Sequence, residues 1–172
     1  FSAEGTNTVS SSIYIILGIR GFCKARDFYI SLMYSILILI GIGSVLFHAT
    51  LKYSAEMVDE ISMILFLSVS FISKPQNTFY VKIWICVCTI ASIILYAIYQ
   101  LYSVFLIIFF SMIGFELLFW FQMSSTHAPC CYNAYSAVLL MSLGLIVWVT
   151  ENMYCDKSEY VYVLHSVWHI LS

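Results

Sequence analysis

Two short runs of this chain carry side chains that could do chemistry together. The first holds Ser44, His48, Asp59 and Glu60; the second, far along the chain, holds His165 and His169. His165 and His169 are four apart, which places them on one helical face about 6 Å apart along the axis. That spacing lets two imidazoles bind one cation, as helical His pairs do in zinc hydrolases. Ser44 and His48 share the same spacing. His48, His165 and His169 would leave one zinc position open, the pattern of a catalytic site and not of a structural one. Zinc lowers the pKa of a bound water from about 15.7 to about 7, which makes hydroxide available without a strong base. Asp59 then has a natural role in taking a proton and passing it to a leaving group. Ser44 could donate to the oxyanion of a tetrahedral intermediate. Glu60, one residue on, points about 100° away from Asp59 and reads as a helix-flank or partner residue.

The elements that must position these groups are apolar. The chain has 172 residues, of which 62% are hydrophobic and 9% charged. A soluble domain carries about 25% charged residues, so a water-facing surface cannot be built from this composition. The expected class is an integral membrane protein. A net charge of -2, thinly spread, does not suggest nucleic acid. The two prolines and the lack of Gly/Ser-rich runs leave no linker, so a single domain over residues 1–172 is expected. Seven apolar segments follow: Thr8 to Gly21, Phe28 to Leu51, Ala55 to Ser73, Phe79 to Tyr99, Leu101 to Met123, Tyr135 to Val149, and Tyr160 to Ser172. Helices are the default, since lipid cannot satisfy open backbone groups and barrel-like alternation is absent. The break at Tyr99-Gln100-Leu101 has almost no turn signal. The chain starts at Phe1 and stops inside an apolar segment, so a product truncated at both ends is expected.

Orientation follows from the basic residues. Arg20, Lys24 and Arg26 in the first loop, with Lys74 and Lys82 around the third, oppose only Lys52 and Lys157. The first and third loops are therefore expected to be cytoplasmic, the N-terminus lumenal or extracellular, and the C-terminus cytoplasmic. The end of segment two and the starts of segments three and seven then share one membrane face, so His48, Asp59, His165 and His169 can meet at one depth.

Each residue also has a plainer reading. A single His at a membrane boundary is usually a hydrogen-bonded interfacial residue; convergence of His48, the His pair and Asp59 is what favours metal. Ser44, beside Gly41 and Gly43, also fits a close helix contact. His127 reads as a loop residue, and Trp168 as an interfacial anchor or core residue. Glu116 is expected to face the bundle interior, with no partner evident. Cys86 and Cys88 are expected to be buried apolar residues. Cys23, Cys130 and Cys131 fall on the inferred cytoplasmic side and should be reduced, and the last two could carry a lipid chain. Cys155 is alone on the lumenal side, which suggests a partner elsewhere.

The combined motifs resemble the alkaline ceramidase family, part of a superfamily of seven-helix membrane hydrolases that includes the adiponectin-receptor-like proteins. The resemblance rests on Gly41-Ile-Gly-Ser-Val-Leu-Phe-His-Ala-Thr-Leu-Lys-Tyr53, against G-x-G-S-x-x-F-H-x-T-L-K-Y, and on Val58-Asp-Glu-Ile-Ser-Met63, against L-D-E-x-P-M, where Ser62 replaces proline. Trp148 with Glu151-Asn-Met-Tyr-Cys155 is similar to W-N-I-D-N-x-x-C, and Leu164-His-Ser-Val-Trp-His-Ile-Leu-Ser172 to H-A-W-W-H-I-L-T. The resemblance implies hydrolysis of the ceramide amide to sphingosine and a fatty acid. It implies zinc on His48, His165 and His169, with Ser44 and Asp59 catalytic. It also implies a calcium site to which Glu4 would contribute, since Ala3-Glu-Gly-Thr-Asn-Thr8 stands where the family has A-E-F-W-N-T. A partner for Cys155 would lie in the N-terminal stretch the family has upstream.

The expectation is thus an all-α integral membrane bundle of seven transmembrane helices. It would be a zinc amidase acting on ceramide within the bilayer, in an endoplasmic reticulum or Golgi membrane. Two alternatives stay open. One is a receptor-like member of the same superfamily with zinc but weak or different hydrolysis. The other is a non-enzymatic bundle whose histidines hydrogen-bond or relay protons.

Overall fold

The structure is a computed structural model that describes residues 4–124, 128–154 and 163–172. His127, Cys155 and Lys157 lie outside the described residues, as do the side chains of Cys130 and Cys131. The described residues form seven α-helices and no strand: α1 (Gly5–Phe22), α2 (Phe28–Thr50), α3 (Tyr53–Ser73), α4 (Phe79–Tyr99), α5 (Tyr102–Ser124), α6 (Ala128–Tyr154) and α7 (Val163–Leu171). Each of the seven expected segments holds one of these helices, with residues 160–162 of the last outside the described residues. α6 is longer than expected, because helix continues at both ends through polar residues that hydropathy discounts. The α4–α5 break falls at Gln100, which ends α4 in the left-handed conformation at φ 51°. A residue other than glycine makes that turn, so the usual glycine signal for a helix end is missing.

Local chemistry sets the other ends. Asp27 caps α2 by accepting from the backbone N–H groups of Tyr29 and Ile30, and Thr78 caps α4 by accepting from Val81. Leu51 closes α2 at φ 52°, so only Leu51 and Lys52 separate α2 from α3. The tight link makes α2 and α3 neighbours. α1 packs on α2 and α7, α6 on α7, α3 on α4 and α5, and α5 on α4 and α6.

Glycines let the first three helices approach at backbone distance. A Cβ at Gly18 would lie 3.1 Å from the Ile38 main-chain nitrogen, and one at Gly41 2.8 Å from that of Ile15. A Cβ at Gly43 would lie 2.7 Å from the Asp59 nitrogen. In lipid, where apolar surface gains little by leaving the solvent, small residues at helix contacts are a main source of association.

The burial pattern is that of a membrane bundle. Asn7, Ser11, Ser44, His48, Glu60, Lys74, Glu116 and His169 are buried, whereas Trp84, Ile98, Ile107 and Phe121 are more than 65% exposed. Buried hydroxyls bond back to their own helix, as Ser62 does to Val58 and Ser68 to Ile64. Four helices, α2, α4, α5 and α6, are long and apolar enough to cross a membrane by length and composition. α1, α3 and α7, which carry the site together with α2, are shorter or more polar. Cys86 and Cys88 are exposed on α4, contrary to the expectation of burial. An outward face is the apolar one in lipid, so an apolar thiol needs no core. Trp168 lies in the core cluster with Ile64, Tyr96, Phe105, Phe109 and Ile113.

Candidate metal centre

His48 comes from the last turn of α2, and His165 and His169 from adjacent turns of α7. Their ring centroids are 4.9 Å (His48–His165), 5.1 Å (His48–His169) and 4.7 Å (His165–His169) apart. One nitrogen from each ring lies within 4.8 Å of the other two. Among the described residues this is a group of side chains able to hold a metal ion.

The donor set fits such an ion, because the Nδ1 atom of each ring is already engaged by oxygen. His48 Nδ1 is 2.6 Å from Glu4 Oε2, and His165 Nδ1 is 2.8 Å from Glu151 Oε2. His169 Nδ1 is 2.8 Å from Ser10 Oγ and 3.2 Å from Ser11 Oγ. Both serine hydroxyls donate to the Asn7 carbonyl, at 3.0 and 2.7 Å. Their remaining capacity toward His169 is as acceptors, and the Asn7 carbonyl, an acceptor only, also faces that ring. With both hydroxyls turned to the Asn7 carbonyl, His169 Nδ1 carries the proton and Nε2 keeps a lone pair. Carboxylates impose the same tautomer on His48 and His165. Neutral imidazoles with Nδ1–H on an oxygen and a free Nε2 are the arrangement of metal-ligating histidines. Two supporting carboxylates also match the charge of a divalent cation.

A wider network holds these supports. Asn7, 2% exposed, donates to Glu4 at 3.0 Å and accepts from Ser166 at 2.6 Å. It thereby ties α1 to α7 beside the triad. Burial would raise the Glu4 carboxyl, but the bonds from Asn7 and His48 outweigh it and hold it below the usual carboxylate range. Tyr14 meets His169 edge to face at 5.8 Å.

Ser44, one turn before His48, is 1% exposed. Its hydroxyl is 3.0 Å from Ser11 Oγ, and the Asp59 main chain lies against Gly43, the residue before Ser44. Ser44, Asp59 and the three histidines all line one cavity of about 590 Å³, apolar along most of its wall. The sequence-derived residues thus share one site, with Glu4 beside it. Of the two readings of Glu60, helix flank or partner residue, the second holds: it is 4% exposed and accepts from the Tyr96 hydroxyl. Sequence reading missed Glu151, Asn7, Ser10 and Ser11 as supports. The run Ser10-Ser11-Ser12 in a short apolar segment was a usable signal; Glu151 had one only in its motif.

These features define a helical membrane protein in which three histidines able to hold a metal ion stand beside a serine and an aspartate. The chain belongs to the ceramidase family, whose model matches residues 1–172, and is a hydrolase of the ceramide amide bond. It is 28% identical over 200 residues to mouse alkaline ceramidase 3, covering 100% of this chain and 73% of that protein. It is 23% identical over 193 residues to human alkaline ceramidase 1, covering 98% and 71%.

Proposed function

We propose that the chain is a zinc-dependent intramembrane amidase that releases sphingosine and a free fatty acid from ceramide. The observation that carries this reading is the convergence of three imidazoles, each with Nδ1 on an oxygen, in the wall of a largely apolar cavity. His48, His165 and His169 would hold the ion. When bound, zinc supplies a Lewis acid and a water nucleophile at neutral pH. Apolar walls admit the hydrocarbon part of a lipid and leave its amide beside the histidines. Asp59, on the same cavity wall as Ser44, takes a proton from the attacking water and delivers it to the leaving amine. Ser44 donates to the developing oxyanion. Glu4 and Glu151 orient His48 and His165. Calcium takes six to eight oxygens; Glu4 is the residue proposed for it here, and its Oε2 already serves His48 and Asn7.

The proposed setting is an endoplasmic reticulum or Golgi membrane with a lumenal N-terminus. Lys74 drops out of the charge count, being buried, but Arg20, Lys24 and Arg26 still mark the first loop as cytoplasmic. The test is zinc content and cleavage of labelled ceramide by purified protein. One zinc per chain with release of both products is expected; a metal-free protein with full turnover would refute the proposal.

A further inference from the structure

Glu60, next to Asp59 on α3, lines the same cavity although only 4% of it is exposed. Its two carboxylate oxygens stand differently. Oε2 accepts from the Tyr96 hydroxyl of α4. Oε1 takes no hydrogen bond from the described residues, yet it is not sealed in. Of the polar side-chain atoms in buried and half-buried described residues, only Glu116 Oε1 is both enclosed and without a partner. Glu60 Oε1 is therefore open, and the space its side chain lines is the cavity. Nor does a basic side chain neutralise it. Glu4 serves His48, Glu116 serves Lys74 and Glu151 serves His165, whereas among the described residues Glu60 has no such partner. Helix packing does not call for a carboxylate here, since two neutral hydroxyls, Ser68 and Thr89, also join α3 to α4 at 2.7 Å. An ionisable side chain inside an apolar bundle is costly and marks a site. What the open oxygen lacks is a donor from a ligand.

We propose that Glu60 Oε1 accepts a hydrogen bond from a hydroxyl of the sphingoid base, and that Glu60 thereby sets a preference for hydroxylated bases. This deepens the amidase reading and rests on the cavity being its substrate site. The Cα atoms of Asp59 and Glu60 are about 3.8 Å apart. In ceramide both hydroxyls of the base stand three bonds from the amide nitrogen, a reach of the same order. An amide placed at Asp59 therefore brings a hydroxyl to Glu60. Tyr96 holds the carboxylate through Oε2 and is a positioning residue. A base with the hydroxyl donates one charge-assisted hydrogen bond. A base without it leaves Oε1 unpaired once the lipid has displaced water from the cavity.

The experiment measures binding of three ketone analogues of ceramide to the purified full chain. In each a methylene group replaces the amide nitrogen, so the lipid binds and is not cleaved. One analogue carries both hydroxyls of the base, one lacks the primary and one lacks the secondary. Trp120, Trp148 and Trp168 line the cavity, so their emission reports occupancy without any turnover. Loss of one of the two hydroxyls should weaken binding about tenfold, which also identifies the hydroxyl that is read. In Glu60→Met/Tyr96→Phe, which strands neither partner, that ratio should fall to about one, with helicity and zinc content checked on the same sample. If that variant does not fold, Glu60→Gln, which keeps the shape and loses the charge, should lower the ratio severalfold. An unchanged ratio in a folded variant, even with weaker binding of all three lipids, would assign Glu60 to packing and overturn the proposal. A ratio near one for both deoxy analogues in the unaltered protein, or no binding of any analogue, would overturn it too. Ceramide cleavage measured in parallel separates the two readings. Cleavage without hydroxyl preference sinks the role of Glu60 alone, and preference without cleavage sinks the amidase alone.

Discussion

The two halves of the bundle are packed by opposite means. α1, α2 and α3 meet through Gly18, Gly41 and Gly43, where any added carbon would strike a neighbouring main chain. α4 and α5 meet through rings: Tyr96 of α4 lies 6.0 Å from Phe105 of α5, which within its own helix stacks on Phe109 at 5.3 Å. The glycine half carries Ser44, His48 and Asp59, and the ring half supplies cavity wall. Backbone contacts fix helix positions to a fraction of an ångström, because a main chain cannot rotate out of the way. Ring contacts leave space between helices and can repack. Chemistry needs the first property and a lipid chain needs the second.

That contrast ranks the outcomes of substitution. The largest is expected from His165→Ala, which removes an imidazole without disturbing either packing mode. Zinc content and ceramide cleavage should both fall to background, while helicity is retained. Full zinc and full cleavage in this variant would remove the site assignment. Next comes Gly43→Ala. Its Cβ would sit 2.7 Å from the Asp59 nitrogen and 2.9 Å from the Asp59 Cα. α3 must move, at a cost of about 1–3 kcal/mol in stability, and Asp59 moves with it. Displacement of about 1 Å at a reacting group can cost about 10²-fold in rate. Zinc should stay bound, since α2 and α7 hold its ligands. A variant with ordinary kcat would show that α2 and α3 are not held by this contact.

Glu151→Gln is third. It keeps a hydrogen-bond acceptor near His165 but loses the charge that polarises the ring. Losing such a support typically costs about 10–100-fold in metal affinity or activity. A zinc titration of the variant against the unaltered protein reads this directly, and an unchanged affinity would assign Glu151 to helix packing only.

The ranking also explains what could be read before any coordinates. The three histidines stood out because imidazole is rare in an apolar segment and the spacing in His165-Ser166-Val167-Trp168-His169 is helical. Helix positions followed from hydropathy, with α4 placed to the residue. Glu151 and the Ser10–Ser11 pair did not stand out, because their roles exist only once α6 and α1 are beside α7. Glu116 was legible as an interior residue and is buried, but its partner Lys74 looked like a loop charge, since hydropathy cannot tell a buried ammonium from a solvated one. Gln100 hid a helix end because the left-handed turn there has no glycine. Cys86 and Cys88 were misplaced by a rule for soluble cores, where apolar means inside. In lipid that rule reverses, and only the polar residues report the interior.

The smallest effect tests the ring half. Phe109 is 8% exposed, lines the cavity and stacks on Phe105. Phe109→Leu removes the stacked ring but keeps an apolar side chain on the wall. An aromatic pair contributes about 0.5–1.5 kcal/mol beyond its area, so thermal stability should drop modestly. The cavity should widen near its middle while the histidines, 48 and 169 on α2 and α7, keep their supports. Zinc content should therefore hold, kcat should hold, and KM for ceramide should rise by about two- to fivefold, a loss of under about 1 kcal/mol of binding. A fall in kcat with KM unchanged would mean that the wall positions the amide and that the two halves do not divide the work. The KM-against-kcat split in this one variant thus decides whether ring packing and glycine packing serve separate ends.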